Sequence, residues 1–161
     1  MSSKHRVYID KTHPAIAAAF NEASKQVRIA SRAAGFGREF MELLYVRSSQ
    51  INACPTCLSV HVPRARHYGV TQEQLDTLPA WRESPAFSEE EKAALGILEV
   101  LTAIDPARGV QEAYDHALQY FSEEQIAVLE WAAIVINSHN RISIASHHPL
   151  RDDPYKKREQ A

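Results

Sequence analysis

The chain has 161 residues, 45% of them hydrophobic, with five glycines and a formal net charge of −2. That length fits one domain with a core of useful size, and the composition excludes disordered and fibrous classes. Its mixed charges form no basic stripe with interleaved aromatics, which argues against nucleic-acid binding. No run approaches the ~18 consecutive apolar residues of a membrane span. No secretory-type apolar stretch follows Met1–Arg6. The expectation is a cytoplasmic protein without a membrane partner.

Almost every segment reads as helix. Pro14 suits a first turn, and Ile16, Ala17, Phe20, Ala23, Val27 and Ala30 recur at helical spacing until Gly35. A second helix is predicted over Arg38 to Ile51. Pro55 is well placed in a first turn, so Cys54 falls at a helix start, with Cys57 in the first turn of a helix reaching Tyr68 and closed by Gly69. Thr71-x-x-Gln74, Ser88-x-x-Glu91 and Ser122-x-x-Gln125 match the capping box and announce three more helices. Another is expected over Val110 to Phe121. The last, from Ser122 to about Ala145, is apolar around much of its circumference, which predicts burial in the core or against another subunit. The result is an all-α, single-domain helical bundle with its core over about 12–146. The charged tail from Arg151 to Ala161 is expected to be solvated or loosely ordered.

The chain's only two cysteines, Cys54 and Cys57, stand three apart, with His61 four residues beyond and Glu42 twelve residues before. Residues i and i+3 on a helix face one side, close enough for a disulfide. The pair can therefore pass between dithiol and disulfide without large backbone motion. A cysteine near a helix N-terminus has its thiolate stabilised by the free N–H groups. His61, one turn beyond Cys57, is placed to accept its proton, and Glu42 on the preceding helix to orient the imidazole. Each residue alone has a plainer reading: chance spacing for the cysteines, a satisfied histidine, a solvated glutamate. Zinc is the chemical rival, since Cys54, Cys57 and His61 are three ligands and His67 or a subunit partner would have to add a fourth. The sequence otherwise calls for no metal and no cofactor.

At these residues the chain resembles the alkylhydroperoxidase D-like, carboxymuconolactone decarboxylase superfamily. The redox branch carries Glu, eleven residues, Cys-x-x-Cys, three residues, His, which Glu42, Cys54, Cys57 and His61 reproduce. Arg47–Asn52, Trp81–Pro85, Phe87-Ser88, Ala93–Leu95, Glu99, Thr102 and Asn137–Arg141 extend the likeness over roughly residues 36 to 145. The resemblance implies an all-helical fold assembling as a homo-oligomer, trimer or hexamer, and an antioxidant peroxidase activity on hydroperoxides. It implies Cys57 as the attacking thiol, Cys54 as the resolving thiol, and His61 and Glu42 as the proton relay. An external dithiol, whether lipoyl-type, thioredoxin-like or a small thiol, would re-reduce the disulfide. The alternatives are a general thiol–disulfide oxidoreductase, a non-catalytic member with a structural disulfide or zinc, and a decarboxylase-type lyase, whose chemistry does not use this cysteine pair. The chain departs from the best-known peroxidase branch at Thr56, where that branch has histidine. A hydroxyl there is expected to hydrogen-bond a thiolate or a water.

Four further expectations concern single residues. Arg47 and Arg141 are candidates for stabilising a thiolate or an anionic substrate. His139, His147 and His148 read as a cluster of interface or surface residues. Ser49 and Asn52 are expected to cap or brace the turn before Cys54. Trp81 and Trp131 read as core or subunit-contact residues.

Overall fold

The computed structural model describes residues 6–105 and 109–156. Its helices are α1 Ile9–Thr12, α2 Pro14–Ala33, α3 Arg38–Ile51, α4 Pro55–Tyr68, α5 Gln72–Thr77, α6 Glu89–Thr102, α7 Val110–Ala117 and α8 Glu123–Ser146, with a short 3-10 turn at Leu78–Ala80. No strand occurs among the described residues. The fold is all-α, as predicted.

Local chemistry accounts for most of the boundaries. Thr71, Ser88 and Ser122 each accept from the backbone N–H three residues on, and the Gln or Glu there reaches back to the cap. All three predicted capping boxes are therefore formed. Pro14 and Pro55 start their helices, where the missing N–H costs nothing. Gly69 ends α4 at φ +111°, a conformation that disfavours any side chain. The prediction for α7 overran: after Ala117 the N–H groups of Gln119 and Tyr120 bond three residues back, tightening the last turn. Pro63 lies inside α4, where it takes the backbone donor from the carbonyl four residues earlier.

The core is built from α3, α6 and α8, with α2 packing against α8 and α4 against α3. Leu43, Leu44, Leu95, Leu98, Ile126 and Leu129 are almost wholly buried, each contributing about 1.5–3 kcal/mol by leaving water. Trp81 belongs to this core, but Trp131 is 60% exposed and Ile134 half-exposed, so α8 buries one face and leaves an apolar strip outside. The tail through residue 156 is mostly exposed yet makes two contacts. The Arg151 N–H bonds the Ser59 hydroxyl at 2.9 Å, and Tyr155 stacks on His67. Residues 151–156 thus lie against α4, while 157–161 fall outside the described residues.

Placement of the cysteine pair depends on the turn between α3 and α4. Ala53 is in the left-handed region at φ +50°. Its N–H bonds the Gln50 carbonyl and the Cys54 N–H bonds the Ser49 carbonyl, a Schellman-type ending. The Asn52 amide then donates to Asn137 Oδ1 (2.8 Å) and Asn140 Oδ1 (2.9 Å), tying the turn to α8. Asn140 in turn donates to the Ser49 hydroxyl. Ser49 and Asn52 brace the turn as predicted, through partners more than eighty residues away. Replacing Asn52 by Ala leaves the buried Asn140 Oδ1 without its donor, while Asn137 Oδ1 keeps Arg141, at a cost of about 1–3 kcal/mol. Urea unfolding of the oxidised protein is the check.

Candidate active site

Cys54 is the N-cap of α4: its Sγ accepts from the Cys57 N–H at 3.3 Å, the place Ser or Asp takes in most helices. Cys57 is the third helical residue, and the two cysteines form a disulfide with their Cα atoms 5.4 Å apart. Cys54 is wholly buried, whereas Cys57 lines a cleft of about 430 Å³ between α2, α4 and α8. Only Cys57 therefore meets the cleft.

α3 and α4 pack antiparallel, with Arg38 at the start of α3 bonded to Tyr68 at the end of α4. That arrangement brings Glu42 to His61, Oε2 to Nδ1 at 2.7 Å, both side chains largely buried at the cleft wall. His61 lies one turn after Cys57 and shares its cleft. The four residues singled out in the sequence thus meet at one place.

Several neighbours were not anticipated. Tyr45 stands one turn after Glu42, its ring 5.3 Å from that of His61. Burial, reinforced by the charge of Glu42, pushes its phenol up to about 12, so it stays protonated. His139 shares the cleft with His148, which also meets Asp10, while His147 does not line it. His139 lines the cleft with Cys57 and His61, and its Nε2 meets the Ser24 hydroxyl of α2. Burial first, then the nearby His61 and Arg28, hold the His139 imidazole below its usual range. The sequence signal for it was its place on the inward-facing side of α8, between the buried Ile136 and Asn140.

Three other expectations are corrected. The Thr56 hydroxyl donates to the His148 carbonyl at 2.6 Å, so its proton is spent on the chain segment after α8 rather than on a thiolate. Arg47 bonds Glu99 through Nε at 2.7 Å, and Glu99 also receives Trp81 Nε1 and Arg82. Burial raises the Glu99 carboxyl, but those three donors outweigh it and hold the group below the usual range. Arg141 donates to the carbonyl and side-chain oxygens of Asn137. Neither arginine lines the cleft with Cys57. His67, the proposed fourth zinc ligand, stacks on Tyr155. No group of three or more His, Cys, Asp or Glu side chains arranged to hold a metal ion occurs among the described residues.

An all-helical fold carrying a cysteine disulfide across the first turn of a helix, beside a histidine–carboxylate pair, defines a class of dithiol protein. The chain belongs to the carboxymuconolactone decarboxylase family, which it matches over residues 14–100. It is 38% identical over 115 residues to the uncharacterised Bacillus subtilis protein YdfG, covering 71% of this chain and 78% of that one. Among solved structures it is similar to an Agrobacterium tumefaciens protein of unknown function, provisionally described as the antioxidant defence protein AhpD. That match has a TM-score of 0.82 and 29% identity, over 92% of this chain and 99% of that one. The debrominase Bmp8 shares the fold (TM-score 0.74, 22% identity, 89% and 75% covered). No helix among the described residues is long and apolar enough to cross a membrane.

Two measurements follow from this geometry. After reduction, iodoacetamide should modify Cys57 faster than Cys54 by at least an order of magnitude, because only Cys57 meets the cleft; peptide mass mapping reads the ratio. The second concerns His139, whose imidazole titrates lower when folded than its ordinary value of 6.5. The unfolded chain then binds the extra proton first, so this group costs stability as pH falls below about 6.5. His139→Gln should lose less stability than the parent between pH 7 and about 5.5, measured by denaturant unfolding.

Proposed function

We propose that this chain is a thiol-dependent peroxidase that reduces organic hydroperoxides through a Cys54–Cys57 dithiol–disulfide cycle. One observation carries the reading: the disulfide spans the first turn of α4, with only Cys57 open to a cleft that holds the Glu42–His61 pair. The likeness to the provisional AhpD protein points the same way.

In the reduced protein, His61 takes the Cys57 thiol proton while Glu42 orients and charge-balances the imidazole. The thiolate attacks the terminal oxygen of the hydroperoxide. The O–O bond breaks, His61 returns the proton to the departing alkoxide, and an alcohol leaves Cys57 as a sulfenic acid. The Cys54 thiol then attacks Cys57 Sγ, expelling water and closing the disulfide. Two electrons and two protons from an external dithiol restore the starting state. Cys54 is suited to the resolving step because it lies beneath Cys57, out of reach of the oxidant. A homo-oligomer is part of this reading, supported by the apolar groove between α2 and α8 beside the exposed Trp131.

The test is to mix the pre-reduced protein with one equivalent of cumene hydroperoxide and count free thiols. Both thiols should be lost. Cys57→Ser should consume no peroxide, and Cys54→Ser should hold a sulfenic acid that dimedone captures. His61→Gln should slow thiol loss by about 10²-fold or more, the usual share of a positioned proton-transfer group. Retention of both thiols in the parent protein refutes the peroxidase.

A further inference from the structure

A second cavity of about 380 Å³ adjoins the cleft of Cys57. Arg28, Glu42, Tyr45 and Arg64 line both, so the two share one wall. Phe36 and Met41, both buried, and the aromatic ring of Tyr68 give the second cavity an apolar floor. Its rim is basic: Arg32 and Arg38 join Arg28 and Arg64 there, and Arg151 stands at the far end beside Cys57. Five arginines therefore border these two adjoining cavities, which together form a trough. The only carboxylate among its lining residues is Glu42, already bonded to His61. In a protein of net charge −2 this is a concentration of unbalanced positive charge.

The arginines of the trough differ from the two gathered around Glu99. Arg47 and Arg82 are neutralised by Glu99. The side chains of Arg28, Arg32, Arg64 and Arg151 take part in no ion pair or hydrogen bond among the described residues. Arg38 holds only the Tyr68 hydroxyl and ring. Exposed guanidinium groups in no ion pair, with Arg28 only acting at a distance on Glu22, arranged around an apolar floor, suit a ligand that brings its own anion. An apolar pocket with a few converging charged groups is the usual form of a small-molecule site.

We propose that the trough binds organic anions, an apolar or aromatic body lying over Phe36 and Met41 with its carboxylate or other acidic head between Arg28 and Arg64. Resting on the peroxidase reading, this makes the substrates of Cys57 acidic hydroperoxides in preference to neutral ones. Arg28 and Arg64 line the cleft of Cys57 as well as the second cavity, so the same pair meets an acidic hydroperoxide whose peroxide end lies in the cleft.

Binding is tested without turnover, on the oxidised protein. Calorimetry should find 4-isopropylbenzoate bound about tenfold or more tightly than the neutral 4-isopropylbenzamide. Raising the ionic strength should weaken the acid and leave the amide unchanged. The Arg28→Gln/Arg64→Gln protein should lose the preference. Arg66→Gln, on the same helix but outside the trough, should keep it. Equal binding of acid and amide, or a preference that survives the double substitution, overturns the proposal. Thiol loss with cumene hydroperoxide and its para-carboxylate separates the two readings. If neither oxidises the thiols, the peroxidase is lost and calorimetry alone decides the anion site. If both do so at equal rates, the peroxidase stands and the anion preference does not.

Discussion

The backbone hydrogen bonds that end α3 also set the chemistry of α4. Cys54 N–H to the Ser49 carbonyl and Ala53 N–H to the Gln50 carbonyl turn the chain through a left-handed residue. Pro55 then starts the next helix at once. With so short a connection α4 must run back along α3, and Cys54 must occupy the N-cap. The cysteine three residues on then shares its face of the helix. The same antiparallel return lays His61 against Glu42. Disulfide and Glu42–His61 pair thus depend on one turn, which the Asn52 amide locks to α8.

The charges divide into two kinds. Inside the bundle they are satisfied by protein: Glu99 collects Arg47, Arg82 and the Trp81 N–H, and its carboxyl stays ionised despite burial because three donors face it. Unpaired buried charge would cost several kcal/mol, so that cluster had to close on itself. Around the cleft the balance is left open. Tyr45 is kept protonated and His139 neutral by burial and their neighbours. Glu42 is committed to His61, and the exposed arginines look outward. That division leaves the trough as the place where the proposed anion would bring the balancing charge.

Much of the fold was legible because helix ends are decided within four residues. The capping boxes at Thr71, Ser88 and Ser122, the prolines at 14 and 55, and the glycine at 69 each act on their own turn, and each appeared where the sequence put it. The spacing of Cys54, Cys57 and His61 likewise acts along one helix. Its three side chains were bound to share a side once α4 formed. Glu42 was placed by the shortness of the connection to α4.

Local chemistry along the chain thus set whatever one helix or one tight turn can enforce: the all-helical architecture, the cysteine pair across a first turn, and the histidine one turn beyond. What helices distant in the chain bring together was settled by their packing. Glu99 captures Arg47 from fifty-two residues away, and α8 delivers His139 to the cleft. The segment after α8 takes the Thr56 proton. Those partners depend on how helices are rotated and offset when their apolar faces pack. A periodic pattern gives the face but neither the rotation nor the offset, since many packings bury the same residues.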